Sequence, residues 1–424
     1  MTPLHTRWRP ARSSVDAMSI AEPEQQNAVG GAWIRAARGA MLLVDGRPAP
    51  TVFAEMSALA AETGAVNLGQ GFPDEDGPAE VLAAAKNAID AGINQYPPGR
   101  GAPVLREAIA RHQERFYGIR VDPEREVLVT AGATEAISAT LLALLEPGDE
   151  VVVAEPFYDE YGAITDLAGA RLVTVPVRWP DFALDLDALR AAVSDRTRVI
   201  IVNSPHNPTG TVLGVEALTE IVELATRHDA IILTDEVYEH LVFPGSRHVP
   251  VATLPGAFER TVSISSGGKT FSTTGWKVGW ITAPAPLVDA ILAVKQFLTF
   301  VNAAPFQPAI AAGLDLPDAF FAGIAAALAH KRDVLTAGLR AAGFEVAAPA
   351  AGYFVIADAA PLGAEDAHAF ARELPHRAGV VGVPVTALVS EPNRAGYRSL
   401  IRFAFCKRLG TLDEAAARLA ALSR

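Results

Sequence analysis

From residue 127 onward, short runs of consecutive apolar residues alternate with stretches of helical spacing. Residues 127–130, 151–154, 171–175, 199–202, 230–234, 261–265 and 278–282 each read as a strand. Helical stretches fall between most of them, at 134–145, 161–168 and 215–226. Thr134 reads as the N-cap of the first of these helices, and Pro147-Gly148 as its stop. While 261–265 alternates, most of these runs are continuously apolar. That pattern belongs to strands buried on both faces, so it predicts a largely parallel sheet covered by helices. Past residue 320 the pattern changes. A long helix over 320–342 precedes short strands at 344–347 and 353–356, then a run at 399–405 and a closing helix from Thr411. The fold class is α/β, with a smaller α+β domain at the C-terminal end.

Residues 1–46 lack sustained periodicity and mix Arg, Pro, Ser, Gln and Ala. They read as a disordered arm, or as translation assigned from too early a start with Met41 as the alternative. A targeting or partner-binding arm is the minor alternative, because no apolar run with a small-residue cleavage site follows the basic start. The chain has 424 residues, half of them apolar, which is ample for a large core. Its net charge of −12 argues against a nucleic-acid partner. No apolar run approaches a membrane span. The single cysteine, Cys406, excludes an intrachain disulfide and reads as packing; this fits a cytoplasmic protein.

Ligands of open α/β sheets bind beyond the carboxyl ends of the strands. Four polar clusters begin where a predicted strand stops: Ala131-Gly-Ala-Thr-Glu135, Asn203-Ser-Pro-His-Asn-Pro-Thr-Gly210, Asp235-Glu-Val-Tyr238 and Ser265-Ser-Gly-Gly-Lys269. Gly132, Ala133 and Thr134 would put free backbone N–H groups and a hydroxyl at a helix N-terminus, which suits a phosphate. Ser266 adds a hydroxyl and Lys277 a positive charge. Asp235 ends an apolar strand, where a carboxylate needs a cation. A protonated pyridine nitrogen is such a cation, and the pair keeps the ring an electron sink. Asn207 and Tyr238 are placed to hydrogen-bond a phenolic oxygen, and Phe157 to stack on a ring face. Lys269, on a tight loop past a strand end, is placed to form a Schiff base with an aldehyde cofactor. Taken singly, each has a plainer reading: a solvated loop lysine, a helix-capping aspartate, a turn at Asn207 and a core phenylalanine at 157.

These segments resemble the fold-type I pyridoxal-phosphate-dependent aminotransferases of class I/II. The likeness is to the branch with the N-succinyldiaminopimelate aminotransferases and the kynurenine/glutamine transaminases. It is carried by Asn67-Leu-Gly-Gln-Gly-Phe-Pro-Asp74, Asn94-Gln-Tyr96, Asn207-Pro-Thr-Gly210, Asp235-Glu-Val-Tyr238 and Gly268-Lys-Thr-Phe-Ser-Thr-Thr-Gly-Trp276, and runs from about Arg47 to the C-terminus. The resemblance implies a large domain (81–315) with a mainly parallel seven-stranded sheet, and a small domain built from 47–80 and 316–424. It implies a homodimer with sites that draw on both subunits, and pyridoxal 5′-phosphate as cofactor. Lys269 is then the Schiff-base lysine and Asp235 the pyridinium partner. Asn207 and Tyr238 hold the phenolate, and Phe157 stacks. Ala133, Thr134, Ser266 and Lys277 hold phosphate, with Tyr96 reaching it from the neighbouring subunit. Arg402 matches the clamp for the substrate α-carboxylate, supported by Asn203 and the backbone of Gly71; a planar fork suits that task. Position 277 is Lys where many aminotransferases have arginine, so it supplies charge without a fork.

The reaction implied is amino transfer between an amino acid and 2-oxoglutarate. Gly71-Phe-Pro-Asp-Glu-Asp-Gly-Pro78, Gln95-Tyr-Pro-Pro-Gly99 and the segment 296–308 resemble the succinyldiaminopimelate enzymes more than the kynurenine enzymes. In that last segment Asn302 and Ala303 stand where the kynurenine branch has an aromatic-histidine pair. Arg100 is the candidate for a distal carboxylate. The alternatives are a kynurenine/glutamine/methionine-type transaminase and a cysteine-conjugate carbon–sulfur β-lyase. A pyridoxal-phosphate-sensing regulator is the non-enzymatic alternative, and the segment before Arg47 is too short for its DNA-binding module.

Overall fold

A computed structural model describes residues 31–44 and 46–423, and the fold is that of the unit Ala32–Arg424. Seven strands form the main sheet: β1 (Val127–Ala131), β2 (Glu150–Glu155), β3 (Arg171–Pro176), β4 (Thr197–Asn203), β5 (Ile231–Asp235), β6 (Thr261–Ser266) and β7 (Val278–Thr282). Their order is β1-β7-β6-β5-β4-β2-β3. All neighbours are parallel except β7, which runs antiparallel to both β1 and β6. The apolar runs supply both faces. Val151, Val153, Ile201 and Leu233 pack on one side, and Val152, Ile200, Val202 and Ile232 on the other. That two-sided burial is why these runs do not alternate with polar residues.

A second, antiparallel sheet contains β8 (Glu345–Ala347), β9 (Phe354–Asp358), β10 (Val383–Pro384) and β11 (Leu400–Ala404), in the order β8-β9-β11-β10. The long helix Asp318–Ala341 packs with the closing helix Leu409–Leu419 over its core of Phe344, Tyr353, Phe403 and Leu412. The N-terminal side joins this region. Val66–Asn67 pairs in parallel with Val380–Val381, and the Leu68 carbonyl accepts the Ala404 N–H.

Three expectations are corrected. The arm is not structureless to residue 46. Trp33–Gly39 forms a helix, α1, against α6 (Asp159–Ala168), and Leu43–Val44 pairs with Arg47–Pro48. A Cβ at Gly39 would lie 2.1 Å from the Gly162 carbonyl oxygen, so two glycines let these helices touch. The reading of residues 1–30 lies outside the described residues. Thr134 is not an N-cap: α5 (Gly132–Leu144) starts two residues earlier, and Thr134 sits in its first turn. The tight loop expected at Lys269 is a short helical turn, Gly267–Thr270, directly past the strand end. Among the described residues no single helix is long and apolar enough to cross a membrane.

Candidate active site

The strand ends converge on a cavity of about 260 Å³. Gly132, Ala133, Thr134, Asn207, Asp235, Tyr238, Ser266, Lys269 and Lys277 all line it. Register explains the convergence. Asn203 at the end of β4 pairs with Asp235 at the end of β5, and Ser266 of β6 pairs with Gly279 of β7. Because β7 is antiparallel, the residue just before it, Lys277, reaches the same rim, beside Gly132. A Cβ at Gly279 would lie 2.4 Å from the Gly132 carbonyl carbon, so glycine is required for α5 to begin this close to the sheet.

One end of the cavity suits a phosphate. The first turn of α5 offers unpaired N–H groups. Lys277 Nζ donates to Thr134 Oγ1 at 3.0 Å, and Ser266 lies alongside. Lys277 has left-handed backbone (φ +53°), and Asn302 Nδ2 donates to its carbonyl at 2.8 Å. Glu135 does the capping, accepting the Ala131 N–H at 2.6 Å, which leaves the Thr134 hydroxyl facing the cavity.

Asp235 is buried in the middle of the site. Burial raises its pKa, while the Tyr161 hydroxyl, donating to Oδ2 at 2.6 Å, opposes the rise. Sequence patterning does not single out Tyr161, which reads as one more residue of a helix face. A buried carboxylate held by a phenol still needs a cation. Phe157 does not face the cavity. It is 2% exposed and packs in the core under α6, and the cavity wall is Tyr158 instead. Asn203 also stays behind the wall: its Nδ2 donates to the Asp235 carbonyl at 2.9 Å, and its Oδ1 accepts the Asn207 N–H at 2.8 Å.

Lys269 Nζ donates to the Gly71 carbonyl at 3.2 Å and lies 5.7 Å and 5.6 Å from the Tyr238 and Tyr353 ring centroids. Burial pulls its pKa below the ordinary lysine value; Arg402 and Lys277 pull the same way, against Cys406 and Asp235. Arg402, on β11, is 2% exposed. Its Nη2 donates to the Gly69 carbonyl at 3.0 Å and its Nη1 to Asn207 Oδ1 at 3.3 Å, and its guanidinium lies 3.9 Å from the Phe354 centroid. Nε is buried without a partner, and burial takes its pKa down to about 10. An arginine with neutral partners and a spare N–H is a receptor for a carboxylate.

Two expected contributors stand elsewhere. Tyr96, expected at the neighbouring subunit's site rather than this one, is 81% exposed, with its ring edge on Phe300. Arg100 pairs with Asp289, donates to the Arg125 carbonyl and does not line this cavity. Cys406 is buried, as its packing role requires.

The residues fit pyridoxal phosphate part by part. A dianion is met by the α5 N-terminus, Ser266 and Lys277, a pyridinium by Asp235, and an aldehyde by a lysine of lowered pKa. Fold and site together define a fold-type I pyridoxal-phosphate-dependent aminotransferase. The chain belongs to the aminotransferase class I and II family, whose model matches residues 63–419. It is 53% identical over 386 residues to a probable N-succinyldiaminopimelate aminotransferase of Mycobacterium tuberculosis, covering 88% of this chain and 96% of that one. It is 37% identical to mouse kynurenine–oxoglutarate transaminase 3, covering 86% of each. The solved structure of N-succinyldiaminopimelate aminotransferase from M. tuberculosis superposes with a TM-score of 0.86 at 53% identity, covering 88% of this chain and 97% of that one.

Proposed function

We propose that this enzyme transfers the amino group of N-succinyl-diaminopimelate to or from the glutamate/2-oxoglutarate pair, in the biosynthesis of lysine. The observation that carries this reading is 53% identity over nearly the whole chain to an enzyme of that name. The buried, carboxylate-ready Arg402 supports an α-amino acid as the reacting end.

Bound pyridoxal phosphate supplies an aldehyde that takes up the amine and a ring that accepts the electron pair left at the α-carbon. The rest of the chemistry falls to this chain. Arg402 would grip the α-carboxylate and so fix the orientation of the α-carbon. Asn207, held by Asn203, and Tyr238 would serve the phenolic oxygen, and Tyr158 would supply an aromatic wall for the ring. Asp235, oriented by Tyr161, holds the proton on the pyridine nitrogen. Thr134, Ser266 and Lys277, with the amides of Gly132 and Ala133, anchor the phosphate. Lys269 would move the α-proton as general base, and burial pulls its pKa down, the direction that role requires. Overall, the donor becomes a 2-oxo acid as 2-oxoglutarate becomes glutamate.

The protein works as a cytoplasmic homodimer, and Tyr96 reaches the neighbour's phosphate. The exposed side chains of Tyr96, Phe297 and Phe300 support such a contact. The small domain is 47–80 with 316–424, and the large domain is 81–315.

The test is a side-by-side kcat/KM comparison of N-succinyl-diaminopimelate, kynurenine and methionine with 2-oxoglutarate, followed by cofactor absorbance. The succinylated donor should lead. Kynurenine ahead by about tenfold, a difference of roughly 1.4 kcal/mol, would replace this reading with a kynurenine-type transaminase. Pyruvate and ammonia released from a cysteine conjugate without an acceptor would mark a β-lyase.

A further inference from the structure

A second cavity, of about 700 Å³, adjoins the carboxylate clamp. Two of its lining residues connect it to Arg402. The Phe53 ring centroid is 5.1 Å from the Arg402 guanidinium, and Asp159, the neighbour of cavity-lining Tyr158, acts electrostatically on Arg402. Its wall divides by chemistry. Met41, Leu42, Val52 and Phe53 give it apolar surface, and Arg372, Arg394 and His368 give it polar surface.

Both arginines have donors to spare. Arg372 donates from Nε to Glu55 at 2.6 Å, and neither of its Nη atoms has a hydrogen-bond partner among the described residues. Arg394 donates from Nε to the Val389 carbonyl at 3.2 Å and from Nη1 to Glu391 at 2.6 Å, leaving Nη2 without one. The pairs with Glu55 and Glu391 are solvent-exposed, so a ligand carboxylate can compete for the guanidinium. Asp159 and Glu55 are the opposing carboxylates of this wall; burial raises the pKa of Asp159, and Glu55 is held by Arg372.

We propose that this cavity is the distal subsite of the amino donor, with Arg394 and Arg372 receiving the carboxylates at the end remote from the reacting amine. The proposal rests on the donor reading above. Once Arg402 holds the reacting α-carboxylate, a succinylated diaminopimelate still has an aliphatic chain, a second α-carboxylate, an amide and a terminal carboxylate. Phe53 and Val52 suit the chain, and the two Nη groups of Arg372 with Nη2 of Arg394 suit two carboxylates. A donor with no distal charge gains nothing from either arginine.

The test compares wild type, Arg394→Ala, Arg372→Ala and Arg394→Lys on three donors: N-succinyl-diaminopimelate, its N-acetyl analogue, which lacks the terminal carboxylate, and methionine. For the alanine variants, the ratio of kcat/KM on the succinyl donor to that on methionine should fall by about tenfold or more, through KM. The succinyl-over-acetyl preference should shrink in at least one of them, and Arg394→Lys should recover part of it. Calorimetric binding of the succinyl donor to Lys269→Ala protein, where turnover is blocked, should weaken to match. Unchanged ratios, or equal losses on all three donors, overturn the subsite. A wild type that shows no preference for the succinyl donor overturns the donor reading instead.

Discussion

Tyr161→Phe removes the one hydroxyl that donates to Asp235, the carboxylate proposed to meet the pyridinium. The Tyr161 hydroxyl donates to Asp235 Oδ2 at 2.6 Å, and both side chains are buried. Phenylalanine fills the same space, so no cavity forms and the change is electrostatic. Asp235 keeps only the Val237 N–H on its other oxygen, a long contact at 3.4 Å, so little compensates. A hydrogen bond to an ionised group contributes about 1.5–3 kcal/mol, and about 1.4 kcal/mol is tenfold in rate. The bound pyridinium offsets part of the loss, so kcat/KM should fall by about tenfold. The pH dependence gives a sharper signature. The Tyr161 hydroxyl lowers the pKa of Asp235 against the rise caused by burial. Without it that pKa climbs, the carboxylate protonates at higher pH, and the acid limb of the activity profile moves up. The deficit should therefore be larger at pH 6 than at pH 8. Single-turnover conversion of donor, followed by cofactor absorbance across that range, measures both effects. A rate within twofold of wild type and an unmoved acid limb would refute the view that Tyr161 tunes Asp235.

Lys269→Ala should still bind the cofactor through the phosphate and pyridine contacts while turnover falls by several orders of magnitude, since nucleophile and base are lost together. Near-normal transamination by this variant would displace Lys269 from the mechanism. Truncation through Ala40 should lower Tm by several degrees relative to truncation through residue 30, because it strips α1 from α6. Equal melting temperatures would mean that the helix adds nothing to the fold.

The sheet was legible because most of its runs are apolar on both faces, as strands covered on both sides usually are. Each observed strand lies within a residue or two of its apolar run. The cofactor end of the site was legible for a related reason. Strand ends in such sheets carry the ligand chemistry, and four polar clusters stood at four strand ends. Side-chain direction was harder to read. Phe157 and Tyr158 are adjacent aromatic residues in the turn between β2 and α6, past the point where strand alternation fixes facing. Only packing shows that Phe157 enters the core and Tyr158 the cavity. Tyr161 was hidden for a different reason: its partner Asp235 lies 74 residues away on another strand. The helix α1 has a short sequence without buried residues, so no apolar stripe announced it; its anchor is the glycine contact with α6.

Lys277 shows how topology completes what composition suggests. Its charge marks it as a candidate for phosphate, but it precedes its strand, whereas the other candidates, Thr134 and Ser266, follow or end theirs. In an all-parallel sheet a residue before a strand lies at the opposite edge from the ligand site. The antiparallel insertion of β7 between β1 and β6 reverses that, pairing Val278 with Ala131 and bringing Lys277 within reach of Thr134. The same reversal places Gly279 against the start of α5, where any side chain would push the helix off the sheet. One strand direction therefore fixes two requirements at once, a cation at the phosphate end and a glycine beneath it. Strand direction depends on pairing between distant segments, so neither requirement can be read from the residues around position 277 alone.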